Sequence, residues 1–173
     1  MMKTMIVSII ATICLGQVIA QPMSTVIKTQ AIAMGRAIAD HDRVTVMNYM
    51  LPDLREMAGD EAKVGQVMDS ALAMFEALGG KITRITYGDP TSVAKGKGQL
   101  QAILPQTIAL TTSFADMEFT SSLLAISKDG GKHWFFTEPH VYKEAAKKKS
   151  LPEISPDLII PAPQKPLIIP KKQ

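Results

Sequence analysis

The sequence predicts an α+β domain in which N-terminal helices pack on a curved four-stranded antiparallel sheet. Three observations carry this. Across residues 24–78 apolar side chains recur at three- and four-residue intervals, the spacing of a buried helix face. From Lys81 to Glu138 the pattern changes to alternating strands separated by turn signals. About 120 residues lie between two ends of different composition, the size of a single domain with one core.

The N-terminal end reads as a signal peptide, residues 1–20. Lys3 supplies a positive charge, Met5 to Leu15 is an apolar run, and Val18 and Ala20 occupy the −3 and −1 positions of a small-residue cleavage site. The run is shorter than the roughly 20 apolar residues a membrane span needs, so no stable span is expected after cleavage. Cys14, the single cysteine, lies inside this segment. Thr12-Ile13 before it fits a lipidation site poorly. The mature chain is therefore expected to have no disulfide, no thiolate metal site and no cysteine nucleophile. A bacterial periplasmic or secreted location follows from the signal.

The other end, residues 143–173, is a Lys/Pro-rich tail. It holds six of the eleven prolines, and its seven lysines face Glu144, Glu153 and Asp157. Proline fixes φ and removes donors, so extended or polyproline conformations are expected, with KEAAKKKS as a solvated charged linker. The pI of about 9.0 belongs largely to this tail. Basic residues are not clustered elsewhere, so no nucleic-acid face is expected. The tail repeats one short apolar run, Leu158-Ile159-Ile160-Pro161 and Leu167-Ile168-Ile169-Pro170. The first copy is expected to dock on the domain and the second to be mobile.

Within residues 21–142, Ser24 or Thr25 can cap a helix through Ile38 with Ile27, Ala31, Met34 and Ile38 on one face. Asp40-His41-Asp42 breaks it. A short helix follows over Val44 to Met50, with Pro52 as its end or a kink. Asp60 can cap a third helix, in which Val64, Val67, Met68, Ala71, Leu72, Phe75 and Leu78 form a stripe expected to be buried. Gly79-Gly80 ends it. Strands are expected over Lys81 to Tyr87, from about 99 to 112, over Glu118 to Ser127 and over Lys132 to Glu138. Pro105, inside the second of these, suggests an edge position or a bulge.

The exit Met50-Leu51-Pro52-Asp53-Leu54, the run Leu104-Pro105-Gln106-Thr107, and Leu123 to Ser127 leading into Asp129-Gly130-Gly131-Lys132-x-Trp134-x-Phe136 carry a resemblance, as does Leu158-Ile159-Ile160-Pro161. Over residues 25–166 the chain resembles the nuclear transport factor 2-like (cystatin-like) cone fold. More narrowly, it resembles a group of uncharacterised secreted bacterial proteins of that fold. The resemblance implies a pocket between the concave sheet face and the helices, and a possible homodimer through the outer face. Some cone folds are isomerases or dehydratases with a pocket carboxylate beside a tyrosine or histidine.

Ser127-x-Asp129-x-Gly131-x-x-Trp134 has the spacing of the Asp-box found on hairpins of sialidase-type propellers. A propeller needs four or more blades and a recurring box, whereas here the box occurs once. It is read as a structural turn made by Ser127, Asp129, Gly131 and Trp134.

Gln106 shares the face of Leu100, Ala102, Leu104, Ile108 and Leu110, and a polar group on an apolar face needs a partner. It heads the ligand-binding candidates, with Tyr49, Tyr87 and Glu138. Asp40-His41-Asp42 reads as a solvated turn, and Glu138-Pro139-His140 as a strand end running into a loop. No catalytic residue, metal site or cofactor is assigned. The sequence predicts a non-catalytic binding module for an apolar small molecule or an envelope protein partner. The alternatives are a small isomerase- or dehydratase-type enzyme using a pocket carboxylate, and an envelope assembly protein acting through its Pro-rich tail.

Overall fold

In the computed structural model, described for residues 22–59, 61–149 and 151–171, the chain forms four helices, then a sheet, a fifth helix and a closing strand. The expected signal segment with Cys14 and the expected cap Asp60 lie outside the described residues. Helix α1 (Met23–Ala39) buries Ile27, Ala31 and Met34 of the predicted stripe, with Ala37 buried and Ile38 only half-buried at its end. Pro22 stands at its N-cap with no side-chain cap, so Ser24 and Thr25 are inside the helix rather than before it. His41 takes a positive φ of 60° in the turn, and Asp42 caps α2 (Arg43–Asn48) by accepting from the Thr45 amide.

Pro52 begins a helix instead of ending one. It occupies the first turn of α3 (Pro52–Ala58), where its missing N–H costs nothing, and Asp53 in the same turn complements the helix dipole. Helix α4 (Glu61–Ala77) ends as predicted, in a Schellman arrangement. Gly79 has φ 69°, its amide bonds to Glu76, and the Gly80 amide bonds to Phe75.

The sheet comprises β1 (Lys81–Tyr87), β2 (Ala94–Gly96), β3 (Gln99–Thr111), β4 (Ala115–Ser127), β5 (Phe135–Thr137) and β6 (Leu167–Pro170). Its main path is β1-β3-β4-β5, curled and antiparallel, the four predicted strands, and two short strands not predicted are added to it, β2 on β3 and β6 on β4. Pro105 is neither on an edge strand nor at a bulge, since the register shift lies in β1 between Ile82 and Arg84. Its carbonyl accepts from Gly88, and a strand residue turns its N and O toward the same neighbour. The absent N–H thus points where β1 has already ended, and no ladder bond is lost.

Two cores explain why the β3–β4 run does not alternate cleanly. On one face α1 packs Ile27, Ala31 and Met34 against Ala102, Leu104, Leu123, Ala125, Trp134 and Phe136. On the other, Leu51, Tyr142 and Leu158 cover Ile103, Leu124 and Ile126. A strand buried on both faces reads as a continuous apolar run.

The predicted stripe of α4 is not core. Val67 is 69% exposed, Ala71 is exposed, Leu78 is half exposed, and Val64, Leu72 and Phe75 are half-buried. Both faces of the β3–β4 core are already taken, one by α1 and the other by the tail. The tail itself departs from the predicted linker. Helix α5 (Pro139–Lys149) runs through KEAAKKK and buries Tyr142 and Ala145. Lys, Glu and Ala are good helix formers, and the tail prolines begin only at Pro152.

Leu158 of the first apolar repeat is buried in the second core. The second repeat is not mobile but forms β6 along β4. Pro170 pairs at a position where its missing N–H would face away from β4. Beyond it, the Lys171 amide bonds to Phe114 and its ammonium to Thr112.

Candidate functional site

The box residues meet in one turn between β4 and β5. The Ser127 hydroxyl donates to Asp129 and accepts from the Gly131 amide. Asp129 accepts from the Lys132 and His133 amides, and the His133 amide does most to hold its carboxyl below the usual range. Gly130 and Gly131 take the positive φ values the turn requires. Trp134 is fully buried, and its indole N–H donates to the Gly131 carbonyl at 3.0 Å. The side-chain polar groups of Ser127, Asp129 and Trp134 are all bonded within the turn.

The four ligand candidates fall in three places. Gln106 lies between Tyr87 and Ser121 in register and donates to the Ser121 hydroxyl at 3.0 Å, so its amide is used within the sheet. Tyr87 packs under Gly35, where an added Cβ would lie 2.8 Å from the hydroxyl. That hydroxyl is buried without a hydrogen-bond partner among the described residues, and burial pushes its pKa up to about 12. A buried unpaired hydroxyl costs about 1–3 kcal/mol. Tyr87→Phe is therefore expected to leave stability unchanged or raise it by about 1 kcal/mol in urea unfolding. A loss of that size would show that the hydroxyl finds a partner in solution. Tyr49 stacks on His133 at 5.7 Å, 9° between planes, at the exit of α2.

Glu138 stands apart from these three. It pairs with His140 at 3.0 Å on the rim of a groove of about 440 Å³. The walls are Thr120–Ser122 of β4, Pro139, His140 and Lys143 of α5, and the tail from Ile160 to Gln164. Pro139 opens α5, so Glu138-Pro139-His140 leads into a helix rather than a loop. Asp40, His41 and Asp42 are exposed, with the Asp42 carboxyl lowered by its bonds from Thr45. Glu138 is exposed as well. None of these carboxylates sits in the dry pocket that a proton-transfer base requires. Among the described residues no three His, Cys, Asp or Glu side chains converge on a metal position, and no helix is long and apolar enough to cross a membrane.

Sequence reasoning missed the amides that hold the tail. Gln101 is fully buried, accepting from the Ser155 amide at 2.7 Å and donating to the Glu153 carbonyl at 3.1 Å. Gln99 donates to the Tyr142 hydroxyl, which in turn donates to the Pro152 carbonyl. Both glutamines lie on the β3 face opposite Gln106, beside the apolar Ile103, and that was the available signal. Gln30 was also missed. From α1 it donates to the Lys132 carbonyl and accepts from the Trp134 amide, clamping the turn.

No protein-family model, curated protein sequence or solved structure matches this chain.

Proposed function

We propose that the protein is a secreted or periplasmic binding module without catalytic chemistry, of the nuclear transport factor 2-like cone class. Its ligand, an apolar small molecule or a segment of a protein partner, enters the groove between β4, α5 and the tail. The groove carries this proposal. It is of ligand size, and its walls mix Ile160 and prolines with hydroxyls, the Lys143 ammonium and the paired Glu138 and His140. The space between α1 and the sheet, where the resemblance places a pocket, is filled by Ile27, Ala31, Met34 and Trp134.

Native mass spectrometry of the protein recovered from the source envelope, beside an Ala162→Trp variant that fills the groove, tests this. Extra mass on the parent chain that disappears in Ala162→Trp supports the groove. The same extra mass on both forms places the ligand elsewhere and overturns the proposal.

A further inference from the structure

The outer edge of β4 has two neighbours: β5 opposite Leu124–Ile126 and β6 opposite Ala115–Glu118. Among the described residues, 119–123 between them pair only with β3. Alternation shows which groups this leaves open. The amide and carbonyl of Ile103 turn to Thr91, on the β1 side. Leu104 and Gln106 therefore turn to β4, meeting Leu123 and Ser121, and Thr120 and Ser122 turn their N–H and C=O outward. Both of these residues line the groove.

We infer that this window takes an extended segment of another protein as an added strand, five residues long, paired to the main chain of Thr120 and Ser122. The inference rests on the groove being the binding site. Strand addition to an open sheet edge draws its affinity from main-chain bonds and its selectivity from alternate side chains. The chain's own tail is not the occupant. Continuing the β6 register would set Lys165 opposite Thr120 but Pro163 opposite Ser122, where a donor is needed. A second copy offering its β6 edge is a poor occupant too, because the outward positions there are Ile168 and Pro170 and only Ile168 has an amide to give.

Paired residues on adjacent strands share a face. The two occupant residues opposite Thr120 and Ser122 therefore turn toward the α5 side, which carries Pro139, Ile160 and Lys143. Lys143 has no ion-pair partner among the described residues. The occupant is thus an extended peptide with an apolar and an acidic side chain at alternate positions.

Amide hydrogen exchange on the full chain, followed by NMR, tests this with the probe acetyl-Thr-Val-Thr-Glu-Thr-amide. Without probe, Thr120 and Ser122 amides are expected to exchange at least about tenfold faster than those of Ser121 and Leu123, and millimolar probe slows both by about tenfold or more. Methylating the Val and Glu nitrogens removes the effect, whereas methylating the central Thr nitrogen preserves it. Slow exchange at Thr120 and Ser122 without probe, or no slowing with it, overturns the strand. Equal binding of all methylated forms in the groove also overturns the strand while keeping the groove as the site. The absence of any probe-induced shift along Thr120–Ser122 and Pro139–Lys143, together with an unloaded parent chain in the mass measurement, removes both.

Discussion

Deleting residues 150–173 is expected to destabilise the domain by at least about 4 kcal/mol, against the 5–15 kcal/mol typical of a whole domain. The deletion uncovers the second core, because Leu158 is buried there and Leu151, Ile154 and Ile160 are packed against it. Burying one leucine contributes about 1.5–3 kcal/mol. It also removes both partners of the Gln101 amide, Ser155 and Glu153. Each such bond contributes about 0.5–1.5 kcal/mol net. A shorter cut, removing 166–173, takes away β6, whose four side chains are exposed, and the Lys171 bonds to Phe114 and Thr112, and is expected to cost less than about 2 kcal/mol. Urea unfolding followed by far-ultraviolet circular dichroism separates the two. An unchanged midpoint for the longer deletion would mean that the tail leaves the domain without loss. The same comparison bears on an assembly role for the tail, because failed partner capture by the longer deletion would then reflect an unfolded core as much as a missing tail.

Local patterns in the sequence were legible wherever local forces decide the structure. The 3.6-residue stripe of α1, the Gly79-Gly80 stop and the Asp-box turn all depend on neighbouring residues and appear where the sequence places them. What covers an element is a tertiary question. The α4 stripe has the same periodicity as that of α1, yet Val67 and Leu78 remain exposed because other segments hold the sheet faces. Composition averaged over the tail concealed α5, since six prolines dominated a segment whose first seven residues contain none. Gln101 and Gln106 give the same signal, an amide within an apolar strand. They fall on opposite faces, and only knowledge of the tail's path shows that Gln101 is the one that ties segments together. The open window of β4 was invisible from sequence, because it depends on the registers of β5 and β6, strands about thirty residues apart that leave and rejoin the same edge.

Trp134→Ala is expected to cost about 3–5 kcal/mol, the range for removing a large buried aromatic side chain. The ring is fully buried and belongs to the same cluster as Ile27, Ala31 and Phe136, so truncation opens a cavity between α1 and the sheet. Its indole N–H is the donor to the Gly131 carbonyl. Trp134→Phe separates the two contributions. Most of the apolar area is kept while the carbonyl loses its donor, and a loss of about 1–2 kcal/mol is expected. Because this is the single tryptophan, unfolding is followed by circular dichroism rather than fluorescence. The order Ala worse than Phe worse than parent would mean that the motif holds the α1 face of the fold and the turn together. If Trp134→Ala cost under about 1 kcal/mol, below the range for a filled core position, the ring would not be a core element. The motif's role would then have to be sought at its surface. The geometry points the other way: Ser127, Asp129, Gly131 and Trp134 direct their bonds to one another and to the intervening amides. A motif whose side chains are so occupied stabilises a hairpin, and the binding role proposed above rests on the groove and its open edge instead.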